Sequence, residues 1–235
     1  MQKNLAVKKM FVHLHRQYCR TNMFSLINCM NNNEVKTEQI ILEAAEAEFL
    51  EKGYGNAKTV SIAKRAGVSH SMLHYYYRTK EQLFQKIFKE KVQTLTQMFN
   101  VIFEQNNDFT ETLRLVIETQ FNFVAKNPQL PMFIFREVMS NNENREWAIK
   151  TLYPHLFPFV STIEKMLNTE IAKGTVRPIA IQNLFMNVVS INISTFIALP
   201  VLKETLQLDN DELLKNFLDE RRESNVQFIL NALKK

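Results

Sequence analysis

The stretch from Thr59 to Lys80, TVSIAKRAGVSHSMLHYYYRTK, restricts the possible folds more than any other part of the chain. It contains two short helical patterns parted by a single glycine, the outline of a helix-turn-helix. In the first pattern Ile62, Ala63 and Ala66 recur at helical spacing, and Ala63 is small enough to let a second helix cross closely. Thr59 is placed to cap its start. Gly67 supplies the left-handed residue that stops a helix, and Val68 gives the turn an apolar anchor. Ser69 then offers a hydroxyl N-cap to the second pattern.

At about 100° per residue, Leu73 and Tyr77 share one side of that second helix with Tyr76 near them, and this side faces the core. Ser71 and Tyr75 lie roughly opposite, flanked by Met72 and His74. The outward face therefore carries hydroxyl, imidazole and aromatic groups instead of the Glu/Lys mixture of a solvated helix. Between Lys52 and Lys80 there are six basic residues (Lys52, Lys58, Lys64, Arg65, Arg78, Lys80) and no Asp or Glu. Such a local positive field suits phosphate. A plain helical corner with a basic solvated edge leaves the clustered tyrosines and the missing acids unexplained.

The segment from Ile41 to Phe84 resembles the DNA-binding domain of the TetR family of bacterial transcriptional repressors. The resemblance rests on the apolar helix ending in Phe49 and Gly53-Tyr54, the Ile62-Ala63 pair, Ala66-Gly67-Val68-Ser69, the aromatic helix from Leu73 to Tyr77, and Lys80-Glu81. It covers about a fifth of the 235 residues. It implies base contacts from His70, Ser71 and Tyr75 and phosphate contacts from Thr59, His74, Tyr76 and Lys80, with Lys58, Ser69 and Met72 completing the DNA-facing set. The chain departs from the common pattern at Val60, where a polar or basic residue is frequent, and at His74, where Tyr is usual.

Length fits one or two domains with ample core. Only four glycines occur (Gly53, Gly55, Gly67 and Gly174), and no long β-branched alternation appears, so the class expected is all-α, with about nine helices. The net charge of +5 is uneven: residues 1–36 hold six basic residues and one acid, whereas the remainder is neutral. That extension shows neither helical periodicity nor the apolar core of a signal peptide. It is read as a disordered tail or an upstream mis-start, with Met23 or Met30 as the true first residue, in preference to a basic arm reaching a DNA groove. Both cysteines, Cys19 and Cys29, lie in it, which fits a disulfide-free protein of the reducing cytoplasm, associated with the nucleoid. No metal-ligand spacing and no cofactor motif stand out.

The first helix is expected from an N-cap at Thr37 to about Lys52, with Ile41, Ala44, Ala45 and Phe49 inward and Glu43, Glu46, Glu48 and Glu51 toward solvent. After the reader, one long helix is expected from Lys80 to about Gln105, ended by Asn106-Asn107-Asp108. Further helices are expected at about 109–126, 129–140, 144–173, 180–206 and 210–234, with Pro154 and Pro158 kinking the third of these. The domains read as 1–36 extension, 37–84 DNA-binding and 85–235 effector-binding and dimerising.

This last region is rich in Phe and Met, adaptable walls for a small-molecule cavity. Its candidate lining is Phe121, Asn122, Phe135, Arg136, Met139, His155, Phe159 and Asn187. Pro178 to Leu202 carries no charge and is long enough to span a bilayer, but Gln182, Asn183, Asn187, Ser190, Asn192, Ser194 and Thr195 argue against a membrane. A helix partly buried against a second subunit, joined by the closing helix, is the better account.

The expectation is a homodimeric repressor that reads a near-palindromic operator in double-stranded DNA and leaves it when a small apolar effector binds. The rival is a nucleoid or division factor with no effector. An enzyme is disfavoured, because two of the five histidines are in the extension, two on the reading helix, and His155 has no evident nucleophile or acid partner.

Overall fold

The computed structural model describes residues 36–140 and 142–235. All of the extension but Lys36, including Cys19, Cys29, Met23 and Met30, lies outside the described residues. Among those described, nine helices follow one another: α1 (36–56), α2 (Thr59–Ala66), α3 (His70–Tyr76), α4 (Lys80–Glu104), α5 (Phe109–Lys126), α6 (Leu130–Ser140), α7 (Asn142–Lys173), α8 (Ile181–Thr205) and α9 (Asp211–Leu233). One isolated antiparallel bridge, Val176 to Lys234, is the sole extended pairing among them. The class is all-α, as the periodicity indicates.

The breaks are local chemistry. Asn106 and Gln207 take left-handed φ angles of 53° and 52° just beyond α4 and α8, a conformation that Asn tolerates better than most residues. Asp108 and Asn210 then cap the following helices, their Oδ1 atoms accepting from the Glu111 and Leu213 amides at 2.8 Å each. Pro154 and Pro158 lie inside α7, and Pro200 lies inside α8.

In α1, Ile41, Ala44, Ala45 and Phe49 are buried as expected, but two readings need correction. The helix already includes Lys36, so Thr37 does not cap it, and it extends to residue 56. Glu48 does not face solvent: it is 1% exposed and its Oε2 lies 3.4 Å from Arg65 Nη2. Position 48 falls seven after Ile41 and three after Ala45, on the buried stripe itself. A carboxylate there needs a cation, and α2 delivers one.

By its contacts the described chain divides into two units. The first holds 36–48 and Ala57–Leu83; the second holds Phe49–Asn56 and Phe84–Lys235. In the second, α5 touches α7, α8 and α9. The main cluster includes Phe99 of α4, Ile117 of α5, Leu167 of α7, Leu184 of α8 and Val226 of α9. A smaller one joins Phe121, Val124, Phe196 and Leu199, with the Phe121 and Phe196 rings 5.0 Å apart. Phe196 is 3% exposed, so it belongs to this core and not to an outer pairing face. Val226, Ile229 and Leu233 of α9 are core as well.

Candidate nucleic-acid interface and effector cavity

Two caps set the first unit's reading geometry. Gly67 adopts φ 68° and closes α2, its amide donating to the Lys64 carbonyl at 3.2 Å while Val68 donates to Ala63 at 3.0 Å. Ser69 is the N-cap of α3, its Oγ accepting from the Met72 amide at 3.1 Å. Thr59 is the first residue of α2 and Lys58 occupies the cap position without a side-chain bond, so the expected threonine cap is absent. The Thr59 hydroxyl instead lies 3.0 Å from His70 Nε2.

Burial separates the two faces of α3. Leu73 is fully buried and Tyr77 is 7% exposed, and the Tyr77 hydroxyl donates to Glu38 Oε1 at 2.7 Å, tying the end of α3 to α1. Tyr76 is half-buried, its ring edge-on to Tyr75 at 5.4 Å. Ser71, Met72, His74 and Tyr75 are exposed, Tyr75 by 75%. Ser69 and Ser71 hydroxyls meet at 2.9 Å, and His70 and His74 meet through their Nε2 atoms at 3.1 Å. Hydroxyls and imidazoles of this kind bond phosphate oxygens and base edges, and Met72 and Tyr75 add apolar surface suited to a thymine methyl.

Of the ten residues expected to face DNA, Thr59, His70 and His74 are joined in one polar cluster, Ser69 and Ser71 in another. Lys58 is exposed on the approach to α2. Lys80 opens α4, and its Nζ donates to the Ala57 carbonyl at 3.1 Å. That bond accounts for a cation at a helix N-terminus, where the dipole disfavours it. The Glu48 pairing of Arg65 and the Glu38 bond of Tyr77 escaped sequence reasoning, since no local signal names a partner from a distant helix.

The second unit holds a partly open cavity of about 270 Å³. Its wall is almost wholly apolar: Phe88, Val92, Leu95 and Phe99 from α4; Leu113, Val116 and Phe123 from α5; Leu130 and Ile134 from α6; Leu152, Leu156, Phe159, Val160 and Ile163 from α7; Ile181, Leu184, Phe185, Val188, Val189 and Ile193 from α8. The polar groups on it are Lys91, Thr96 and Gln120. Thr96 donates back to the Val92 carbonyl at 2.9 Å, Lys91 donates to Asn127 Oδ1 at 3.1 Å, and Gln120 Oε1 accepts from Asn192 Nδ2 at 3.1 Å. Asn192 and Asn225 are fully buried and bonded to each other at 2.9 Å.

Of the eight lining residues expected from the sequence, Phe159 is on this wall. Phe121 packs in the smaller cluster, Asn122 Oδ1 accepts from Arg222 at 3.0 Å, and His155 is half-buried off the wall. Phe135, Arg136, Met139 and Asn187 are exposed.

A capped helix-turn-helix whose second helix turns hydroxyls, imidazoles and phenols outward, in an all-helical chain, defines a DNA-binding regulator. Residues 41–87, a fifth of the chain, match the family model for bacterial regulatory proteins of the tetR family, so this segment is a tetR-type DNA-binding domain. Among curated proteins it is 27% identical over 128 residues to the nucleoid occlusion factor SlmA of Vibrio cholerae serotype O1, a match covering 53% of this chain and 65% of that protein. It is 25% identical over 137 residues to the fatty acid metabolism regulator protein of Bacillus subtilis, covering 58% and 69%. The fold is shared with the transcriptional regulator FadR of Bacillus subtilis in complex with stearoyl-CoA, at TM-score 0.63 and 20% identity over 83% of this chain and 98% of that one. It is shared equally with a TetR family transcription regulator of Marinobacter aquaeolei, at TM-score 0.63 and 19% identity over 87% and 99%.

Proposed function

We propose that this protein is a cytoplasmic, nucleoid-associated transcriptional repressor that binds a near-palindromic operator as a homodimer and is released by a small apolar effector. The observation that carries the effector is the apolar cavity of about 270 Å³ in the second unit, which has the character of a small-molecule site. Similarity to the fatty acid metabolism regulator protein of Bacillus subtilis and to the structure of FadR from the same organism with stearoyl-CoA supports an acyl chain as the occupant. Release follows if the effector prefers a dimer whose two α3 helices are spaced differently from the half-sites. The shift is limited by its difference in affinity for the two states.

The pairing surface proposed is the outer side of α8 and α9. Met186, Ile197 and Val201 on α8 are 56%, 46% and 65% exposed, and Leu213 and Phe228 on α9 are 46% and 63% exposed. A four-helix contact across a two-fold axis would cover them. The residues proposed to touch DNA are the ten around α2, α3 and the start of α4; an enzymatic role has no support from them.

The similarity to SlmA favours a second reading, a nucleoid factor with many dispersed sites and no effector. Mapping the sites bound in cells, then titrating purified protein against one such duplex and against random DNA, separates the two. A repressor has few sites, binds as a dimer at least about 10³-fold more tightly than random DNA, and is released by an acyl ligand. Dispersed sites and indifference to every apolar ligand would overturn the effector reading in favour of the nucleoid one.

A further inference from the structure

His70 and His74 stand one turn apart on α3, so their side chains leave the same face. Both are exposed; their ring centroids are 4.3 Å apart with planes at 86°, and the two Nε2 atoms are 3.1 Å apart. The Thr59 hydroxyl approaches the same His70 Nε2 at 3.0 Å. One ring nitrogen thus meets two polar partners. As an acceptor it has a single in-plane lone pair to share between them, and as a donor it has a single hydrogen.

We infer that His70 and His74 form a two-nitrogen site for a divalent transition metal of the Cu2+, Ni2+ and Zn2+ class. With metal–nitrogen bonds of about 2.0–2.1 Å, the 3.1 Å separation subtends an angle of about 95–100° at the ion, between the octahedral and tetrahedral values. Small ring rotations aim both lone pairs at one point, and water completes the coordination because the face is open. Imidazole donors select this class of metal. Mg2+ and Ca2+ need oxygen donors, and no Asp or Glu occurs between Lys52 and Lys80 to supply a carboxylate. The site departs from the expectation that no metal-ligand spacing is present.

A bound metal occupies both Nε2 atoms. If His70 and His74 contact DNA, as the proposed function holds, the metal removes their contacts and opposes reading of the operator. The cluster would then couple metal availability to DNA occupancy without involving the cavity.

The test is titration of the metal-free full chain with Ni2+ and with Zn2+ by calorimetry, beside His70→Ala, His74→Ala and, as a control, Ser71→Ala. Any metal taken by His13, His15 or the cysteines is common background to all four. Wild type and Ser71→Ala should take up one more equivalent than either histidine variant, with helix content equal in all by circular dichroism. Equal uptake by wild type and the histidine variants overturns the site. A second arm measures binding to a mapped duplex at fixed salt. Metal should weaken wild type by at least about tenfold, the loss of one base contact and one phosphate contact, and leave His70→Ala unchanged. Metal uptake with unchanged DNA affinity overturns the coupling but leaves the site. Absence of DNA binding with or without metal counts against the proposed function, while the first arm still decides the site.

Discussion

Replacing Arg65 with methionine asks whether the pair it makes with Glu48 behaves as an interior or a surface ion pair. The two ends differ sharply: the Glu48 side chain is 1% exposed and that of Arg65 37%, with 3.4 Å between them. Breaking a buried pair costs about 3–5 kcal/mol when the survivor stays buried. Arg65→Met removes the cation that lies 3.4 Å from a carboxylate that stays buried, so the lower end, about 3 kcal/mol, is expected. Glu48→Met leaves a guanidinium that already reaches water and fills the vacated space with apolar atoms, so a cost of about 1 kcal/mol or less is expected. The double variant should return to within about 1 kcal/mol of wild type, since two apolar side chains replace two charges. Urea unfolding followed by circular dichroism on the full chain and its variants measures all three. Equal single-variant costs, or an Arg65→Met cost below about 0.5 kcal/mol, the range of exposed pairs, would refute the reasoning.

On the proposed pairing face, Ile197→Glu or Val201→Glu should give a folded monomer by sedimentation, whereas Phe196→Glu should unfold the second unit, because Phe196 is 3% exposed against Phe121. Gly67→Ala should cost about 1–2 kcal/mol through its φ of 68°, measurable as a lower urea midpoint. Lys80→Ala should weaken operator and random DNA alike and flatten the slope of log affinity against log salt by about one; an unchanged slope would remove Lys80 from the phosphate contacts.

The helix bounds from the end of α2 onward were legible because their signals are local, whereas the start and end of α1 and the cap of α2 were not. The Asn106 to Asp108 break, the Gly67 stop and the Ser69 cap each act within a few residues, and the structure keeps all three. What charge type suggested was less secure than what position suggested. Glu48 was assigned to solvent as an acid, although its spacing from Ile41 and Ala45 put it on the buried stripe. The cavity wall was the least legible part, because every helix of the second unit has apolar positions and nothing in one helix says which of them meet a void. Phe121 and Phe159 look alike in the sequence; one packs against Phe196 and the other faces the cavity. The polar lining guesses followed chemistry without geometry, and Asn122 turned out to be engaged by Arg222, a hundred residues away.

The two prolines of α7 bear on how a ligand would reach the proposed effector site. Proline has no amide hydrogen, so the carbonyls of Lys150 and Pro154 lack the donors that Pro154 and Pro158 would otherwise supply four residues on. These turns carry Leu152, Leu156, Phe159 and Val160, all on the cavity wall. The backbone is thus tied to itself by fewer bonds along turns that line the cavity, and parting them breaks fewer bonds than parting a regular turn. If the proposed effector enters here, such a wall would set its rate of entry and exit more than its affinity: restoring both amides with alanine should slow exchange of a bound acyl ligand while leaving the apolar lining unchanged.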